Sequence, residues 1–400
     1  MPMPANSMRY LVFLFPLLAD VTIACFFFGM PVRASYLGLT DTATGWLFTV
    51  FNVTYIFTAS VVVRWGHGRM SLLLLLSAGA PALLALLFLI NDTAWPLAIA
   101  MAGLAISSST FFICFQLKMG SATSMHPQYS AAWYAFAWST GMAIGLLLQG
   151  VVSSPGNSWF IVPMMIMPLI VVALLLLCRD RLQAVVVAGE ADGGLAHDPR
   201  YVLIGRISIV TASIVIFGCI GILPKVGLEE LDISTMTMGV MLFLSRMAQA
   251  ISALVCMVYT RWLYNPVWLT VANILGLLGF VLAAVNGSNA VLFCLGLCIA
   301  GIFGGVCFYQ AVVYAIMDPA AASRHVACNE ILVGVGAVAG SLLAGYAAEL
   351  LGARGLLLAA AAVIGVAMVI EMLVLSRGTG RAAQYYSCGA GALGVKRSSK

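Results

Sequence analysis

The sequence predicts an all-α integral membrane protein with twelve transmembrane helices, arranged in two pseudo-symmetric six-helix halves around a central cavity. Three observations predict this fold: an apolar composition, a series of long apolar runs, and a repeat that relates the two halves of the chain. Hydrophobic residues make up 62% of the 400 residues and charged residues 8%, and the mean hydropathy is +1.06. Soluble domains carry about 25% charged residues, so composition alone excludes that class.

Twelve apolar runs are long enough to cross a bilayer. A hydrocarbon core about 30 Å thick needs about 20 apolar residues per helix, and a helix satisfies its backbone hydrogen bonds internally. The first run contains Asp20 and is too long for a secretory signal, so it is predicted to be a retained span. The predicted spans are 8–32, 45–63, 70–90, 95–117, 129–152, 159–178, 202–223, 236–259, 265–285, 289–316, 326–350 and 355–376.

The basic residues predict the orientation. Of the 19 Lys and Arg residues, fifteen fall on the side that carries both termini, Arg246 lies inside a span, and three lie on the opposite side: Arg33, Lys225 and Arg354. The positive-inside rule therefore places both termini in the cytoplasm, with a bacterial inner membrane as the expected location. The expected organisation is an N-terminal half (1–178), a central cytoplasmic loop (179–201), a C-terminal half (202–376) and a disordered cytoplasmic tail (377–400).

The two halves share residues at an offset of 194 or 195 positions. Glycines of span five recur in span eleven: Gly141, Gly145 and Gly150 correspond to Gly336, Gly340 and Gly345. Polar residues of span two correspond to residues of span eight: Asn52 and Tyr55 to Arg246 and Gln249. A parallel repeat of six plus six helices is a transporter architecture, in which the solute site lies near the midplane between the halves.

These features resemble the major facilitator superfamily over all twelve spans. The loop after span two reads Val62-Val63-Arg64-Trp65-Gly66-His67-Gly68-Arg69 and is similar to the Gly-rich basic turn of that family. The resemblance implies that this turn steadies the state closed to the cytoplasm through Arg64, Gly66, Gly68 and Arg69, although Val63 stands where the family has an acidic residue. Span five lacks the Gly-Pro pair of the family's antiporters, which disfavours a drug/proton antiporter.

Two charged residues lie near the centres of spans, Asp20 in span one and Arg246 in span eight. Each costs about 2.5 to 3.5 kcal/mol at the midplane on insertion scales, so both are expected to face a watery cavity or each other. In the functional interpretation Asp20 is a proton-coupling carboxylate and Arg246 binds an anionic group of the solute. The structural alternative is a salt bridge that holds the halves together.

Polar and aromatic residues near these charges are the other candidates for solute binding. Arg246 and Gln249 share a helix face, as do Asn52 and Tyr55, and the repeat places the two pairs on opposite walls of the cavity. Three further candidates suit packing between helices equally well: Trp138, Gln116 and Gln310. The hydroxyls of residues 107–110 either line the cavity or bond their own helix backbone.

Other residues suit gating and packing. Arg324 and Glu330 lie near the cytoplasmic face, where ion pairs suit a gate. The glycine spacings let helices approach closely, and we expect them at the junction between the halves, where smooth contact serves rocking: Gly141, Gly145, Gly336 and Gly340. Glu371 lies near a span end, where a side chain can reach the interface and needs no functional explanation.

The predicted function is alternating-access transport of a small polar, anionic solute, coupled to protons, by a monomer in the lipid bilayer. The alternatives are export of a metabolite, siderophore or drug by antiport, and a sensor or scaffold that transports nothing. The sequence has no P-loop, metal-ligand spacing or catalytic constellation, so no nucleotide, cofactor, metal or enzymatic activity is expected. Single midplane charges disfavour a channel. The net charge of +5 is attributed to cytoplasmic loops rather than to nucleic-acid binding.

Overall fold

The computed structural model describes residues 12–65, 69–90, 93–119, 127–153, 158–178, 199–316 and 322–376. Every regular element within these residues is helical, and eleven helices are long and apolar enough to cross a membrane. The helices are α1 (Leu14–Tyr36), α2 (Asp41–Trp65), α3 (Met70–Leu84), α4 (Trp95–Met119), α5 (Pro127–Val152), α6 (Val162–Leu177), α7 (Pro199–Glu229), α8 (Thr235–Val258), α9 (Pro266–Val285), α10 (Ala290–Ile316) and α11 (Ala322–Ser376).

Polar caps set the starts of several helices. The Ser234 hydroxyl accepts a hydrogen bond from the backbone N–H of Thr237 at 3.1 Å, directly before α8. The side-chain oxygens of Asn265 and Asn289 accept backbone N–H groups in the same way at the starts of α9 and α10. Such caps satisfy donors that the first helical turn leaves free. Side chains that directly precede α8, α9 and α10 therefore cap the first turns of these helices.

The last helix, α11, has 55 residues and turns back at Gly352, whose φ of 66° suits a residue without Cβ. A straight helix of this length would span about 80 Å. Yet both of its ends contact the same part of α7: Arg206 Nη2 lies 2.9 Å from His325 Nδ1, and Ser208 donates to Glu371 at 2.7 Å. A first arm (322–351) and a second arm (353–376) therefore lie side by side.

The bend explains the difference from the predicted number of helices. The Glu230 carboxylate accepts a hydrogen bond from the backbone N–H of Ala353 at 2.7 Å, just after the bend. Gly352 itself is not helical, so the two arms are two helices joined at the bend, and they correspond to the predicted spans 326–350 and 355–376. Counted with these two arms as one, the described chain has eleven helices that are long and apolar enough to cross a membrane.

Glycines bring helices close together within each half. A Cβ on Gly141 of α5 would lie 2.1 Å from the Leu17 carbonyl oxygen of α1, and one on Gly340 of α11 would lie 2.2 Å from the Ile214 carbonyl oxygen of α7. Gly145 and Gly336 make similar approaches, so the backbones nearly touch at all four positions. The structure thus places these glycines inside the halves, not at the junction between them where the sequence analysis expects them.

A different set of glycines forms the junction between the halves. A Cβ on Gly150 of α5 would lie 2.7 Å from Gly239 Cα of α8, and one on Gly45 of α2 would lie 3.2 Å from Gly345 Cα of α11. The positions are related by the repeat, since 45 plus 194 gives 239 and 150 plus 195 gives 345. The two crossings, α5 with α8 and α2 with α11, are therefore equivalent under the predicted repeat.

These crossings close one face of the bundle. We call the face where α1 ends and α2 begins the outer face, and the face where α1 begins and α2 ends the inner face. At the outer face Lys225 Nζ of α7 lies 2.6 Å from Asp41 Oδ1 of α2. The backbone N–H of Thr42 donates to the Glu349 carboxylate of α11 at 2.8 Å. The structure is therefore a conformer in which the two halves meet at the outer face.

Candidate functional site

A cavity of about 140 Å³ lies between the halves, on the inner side of this closed layer. Seven helices contribute to its wall, namely α1, α2, α4, α5, α7, α10 and the first arm of α11. Its described lining residues are Asp20, Ile23, Phe27, Phe51, Asn52, Tyr55, Phe112, Tyr134, Ala135, Trp138, Met142, Ile209, Phe217, Phe308, Val312, Glu330, Val333, Gly334 and Ala337. Helices of both halves therefore share one site.

Eight of the nineteen described lining residues of the cavity are aromatic. The Trp138 ring on α5 meets the Phe308 ring of α10 edge to face, with centroids 5.1 Å apart, and lies 6.3 Å from the Phe217 ring of α7. On the other side, the Phe27 and Phe51 rings are 4.9 Å apart, also edge to face. Such walls suit an apolar or aromatic ligand body, while a few polar groups set its orientation.

The charged groups on the wall are carboxylates. Asp20 and Glu330 both line the cavity, and its described lining residues include no Lys or Arg. Asp20 is 1% exposed, and its Oδ2 has no hydrogen-bond partner. A buried acceptor without a partner costs free energy, so this carboxyl group is ready to take a proton or a donor from a ligand. Among the described residues, no ion pair joins Asp20 to Arg246.

Asn52 and Tyr55 of α2 lie on the cavity wall, as the sequence suggests. The Asn52 amide donates to the Ser341 hydroxyl of α11 at 3.2 Å, which links the halves. The Tyr55 ring stacks on Phe51 with centroids 6.1 Å apart. The hydroxyl of Ser109 on α4 donates to the Tyr55 carbonyl oxygen at 3.0 Å. This hydroxyl therefore bonds a neighbouring helix, an option outside the two expected for it.

The neighbouring hydroxyls of α4 border a much smaller cavity of about 20 Å³. Ser107 and Ser108 line it together with Thr22 of α1 and Ser77 of α3, so it lies inside the N-terminal half. Their side chains are thus separate from the lining of the large cavity.

Arg246 and Gln249 of α8 are buried but lie outside the lining residues of the large cavity. The Arg246 guanidinium donates to the Gln249 side-chain oxygen, while Arg246 Nε has no partner. The Gln249 amide in turn donates to the Ser139 hydroxyl of α5 at 3.0 Å. The pair therefore joins α8 to α5. The repeat predicts instead that this pair faces Asn52 and Tyr55 across the cavity, and the structure does not show that arrangement.

Gln310 belongs to a second buried polar cluster, inside the C-terminal half. It donates to the Ser208 hydroxyl at 2.8 Å, and Ser208 donates to the Glu371 carboxylate. The other Glu371 oxygen accepts from Asn273 at 2.6 Å. Glu371 is only 2% exposed, so it does not reach the interface and instead ties together α7, α9 and the second arm of α11. Gln116 lies in α4, and its side chain is outside the part that the structure describes.

The predicted gating residues have different locations. Arg64 lies in the last turn of α2, Arg69 directly precedes α3 and Arg324 lies in the first turn of α11, all with exposed side chains. Gly66 and Gly68 lie outside the described residues. Glu330 lies two turns inside the first arm of α11, where it lines the cavity with Val333, Gly334 and Ala337 at helical spacing. It is therefore part of the site and not only of a gate.

Six aromatic lining residues escaped the sequence analysis: Phe27, Phe51, Phe112, Tyr134, Phe217 and Phe308. The signal for three of them was their helix face. Phe27 follows Asp20 by seven positions and Phe51 precedes Tyr55 by four, so each shares a face with a polar lining residue. Tyr134 likewise precedes the candidate Trp138 by four positions, and for the other three we find no comparable signal.

Comparison with known proteins identifies relatives of this fold. The family model described as the Major Facilitator Superfamily matches residues 12–327. A variant of the nucleoside transporter NupG superimposes with a TM-score of 0.64 at 10% identity, over 91% of this chain and 99% of that one. A bacterial homologue of the human lysosomal transporter Spinster, in an inward-facing and unoccupied conformation, gives 0.62 at 15% identity over 97% and 98%. A comparison with curated protein sequences gave no significant match.

Proposed function

The chain belongs to the major facilitator superfamily, and we propose that it moves a small organic solute through its central cavity by alternating access, coupled to protons. The family and the transporter neighbours make it a multi-pass membrane transporter and not an enzyme. We count the two arms of α11 as two crossings, which gives twelve spans in two six-helix halves. The proposal includes a monomer in a bacterial inner membrane, with both termini in the cytoplasm.

The composition of the cavity wall carries the proposal for the solute. Eight aromatic side chains and two carboxylates line it, without Lys or Arg among its described residues. This wall favours a solute with an aromatic or apolar body and a cationic or hydrogen-bond-donating group that points to Asp20. An anionic solute, which the sequence suggests, requires Arg246 as its partner. That guanidinium is bonded to Gln249 and lies outside the lining.

Asp20 provides the coupling in this proposal. One carboxylate cannot hold a proton and pair with a cation at the same time, so binding of a cationic solute releases the proton from Asp20. Return of the proton from the other side of the membrane then releases the solute, and the cycle exchanges the two. The absence of the antiporters' Gly-Pro pair from α5 does not affect this exchange, because the proton-carrying group, Asp20, lies on α1. Glu330 adds a second negative charge to the wall.

Thermal-shift measurements on the purified protein test the charge of the solute. Tetraphenylphosphonium, neutral nucleosides and benzoate derivatives are compared on the wild type, Asp20→Asn and Arg246→Gln. A ligand at 100 times its Kd stabilises by about 2.7 kcal/mol. We expect the aromatic cation to stabilise the wild type and Arg246→Gln but not Asp20→Asn. If only benzoates stabilise the wild type and Arg246→Gln loses that response, the solute is anionic and the proposed class is wrong.

Nucleosides form the neutral arm because a structural neighbour is a nucleoside transporter. If only nucleosides stabilise the protein, the cavity remains the proposed solute site, but the solute is neutral and the proposed cationic class is wrong.

Proton release tests the coupling. In weakly buffered detergent solution, binding of the cation should release about one proton per wild-type molecule and none from Asp20→Asn. Binding without release would overturn the exchange mechanism and leave the solute class intact. Uptake of the same cation into sealed proteoliposomes with an imposed pH gradient separates a transporter from a sensor or scaffold, which binds the solute without moving it. Because tetraphenylphosphonium crosses bilayers passively, only uptake in excess of that into protein-free liposomes and into Asp20→Asn proteoliposomes counts as transport.

A further inference from the structure

We infer that Glu229 is a positioning residue that keeps the charge of Lys225 paired when the outer face opens, so that Asp41 and Glu229 shift the transport cycle in opposite directions. We call these three residues the outer latch. The inference rests on the proposed alternating access but not on the identity or charge of the solute.

The outer latch consists of one buried amine between two carboxylates. The Lys225 side chain is 4% exposed, and its Nζ lies 2.6 Å from Asp41 Oδ1 and 2.7 Å from Glu229 Oε2. Asp41 is the first residue of α2, in the N-terminal half, whereas Glu229 is the last residue of α7, the helix that carries Lys225. The first contact crosses the halves and the second stays within one helix.

Separation of the halves breaks one of these contacts and leaves the other intact. Residues four apart on a helix remain neighbours whatever the helix does as a rigid body, so Lys225 keeps Glu229 in both conformers. Its contact with Asp41 exists only while the outer face is closed. An amine that loses its single partner in a partly buried site pays a large desolvation cost. Glu229 removes that cost and so makes the closed conformer easier to leave.

A second effect of Glu229 has the same sign. In the closed conformer the carboxylates of Asp41 and Glu229 both contact Lys225 Nζ. Their like charges are therefore close together and repel each other across the junction. Glu229 therefore destabilises the closed state through Asp41 as well as supporting Lys225 in the open state. Two further carboxylates lie nearby. Glu349 of α11 accepts from Thr42 across the junction and also interacts electrostatically with Lys225, whereas Glu230 accepts from Ala353 within its own half.

Distances between spin labels on the two halves test the inference. Thr93 and Ser288 lie in exposed outer loops of the N-terminal and C-terminal halves, and they carry the labels in a full-length background in which the ten native cysteines are replaced. Asp41→Asn should raise the ratio of long to short distances by about tenfold, equivalent to about 1.4 kcal/mol. Glu229→Gln should lower that ratio, because Lys225 is then hydrogen-bonded to a single carboxylate, that of Asp41 across the junction.

The double variant and a matched control make the test specific. Asp41→Asn with Glu229→Gln leaves Lys225 without either carboxylate in the closed state, so in this background Glu229→Gln should raise the long-distance fraction instead of lowering it. Glu230→Gln makes the same charge change one residue away and should leave the ratio unchanged. Single variants that shift the ratio in the same direction, or a Glu229→Gln that does not shift it, would overturn the inference. A purely structural role would lower the melting temperature without this reversal of sign.

Discussion

The side-chain amide of Gln249 on α8 donates to the hydroxyl of Ser139 on α5 at 3.0 Å, while its oxygen accepts from Arg246. One side chain thus satisfies an intramembrane guanidinium and links the two halves of the transporter. Arg246 is 5% exposed, so its buried charge needs the Gln249 oxygen as an acceptor. We expect loss of this acceptor to cost more stability than loss of the hydrogen bond between Gln249 and Ser139. The two hydrogen bonds of Gln249 can be separated by mutation.

Gln249→Leu should destabilise the protein more than Ser139→Ala. The first leaves a buried charged group without its acceptor, which costs about 2–3 kcal/mol, whereas the second removes one neutral hydrogen bond worth about 1 kcal/mol. Melting temperatures of the purified variants, followed by intrinsic fluorescence in one detergent, measure both. Equal losses would mean that Arg246 finds another acceptor.

Trp138→Ala should weaken binding of an aromatic solute by about tenfold or more, which corresponds to at least about 1.4 kcal/mol. The Trp138 ring lines the cavity and meets Phe308 edge to face, so its loss removes a stacking surface. Trp138→Phe should retain most of the affinity. Ligand titrations followed by thermal shift give the dissociation constants.

The control for this prediction is Trp133→Ala on the same helix. Trp133 packs against Phe136, with centroids 5.8 Å apart, and is not a lining residue of the cavity. An equal loss of affinity in both alanine variants would show that α5 as a whole, and not the Trp138 ring, determines binding.

The sequence predicts the depth of a residue in the membrane better than the direction it faces. Asp20, Asn52 and Tyr55 were found because polar groups are rare in apolar spans and tend to face cavities. Arg246 is predicted to face the cavity on the same ground but lies outside the lining. The α8 sequence does place Ser245, Gln249 and Ser252 on one face, but a polar face indicates burial without showing whether it meets the cavity or, as here through Gln249, a hydroxyl of the neighbouring helix α5.

The contacts between the halves were harder to predict. Asp41 and Lys225 are 184 positions apart and lie at helix ends, where charged residues need no explanation. The repeat does relate Gly45 to Gly239 and Gly150 to Gly345, but it does not indicate which helices these pairs bring together. Glycine spacing predicts close packing, and only the three-dimensional arrangement separates packing within a half from packing between halves.

Gly141→Ala should lower the free energy of unfolding by about 1–3 kcal/mol, the usual cost of overpacking. Its Cβ would lie 2.1 Å from the Leu17 carbonyl oxygen, a backbone atom that cannot move without shifting α1. Gly365→Ala is the matched control, since its Cβ would meet only a Leu277 methyl group at 3.7 Å. A Gly141→Ala variant with the melting temperature of Gly365→Ala would mean that α1 and α5 separate without cost.

Substitution of the junction glycines should open the outer face instead of simply destabilising the fold. A Cβ on Gly150 would lie 2.7 Å from Gly239 Cα, and one on Gly345 would lie 2.8 Å from the Asp41 carbonyl oxygen. Both clashes exist only while the halves meet, so the conformer with a separated outer face relieves them. Gly150→Ala and Gly345→Ala should therefore both lengthen the distance between labels at Thr93 and Ser288.

Because these two glycines are related by the repeat, the shifts should be similar and the double variant should show a larger one. Gly141→Ala, whose clash lies within one half, should leave the label distance unchanged even though it lowers stability. If it lengthens the distance as much as Gly150→Ala does, the label distance reports loosening of the bundle and not opening at the junction. If neither junction variant changes the distance, the two crossings are permanent contacts, and the halves must pivot about them instead of parting there.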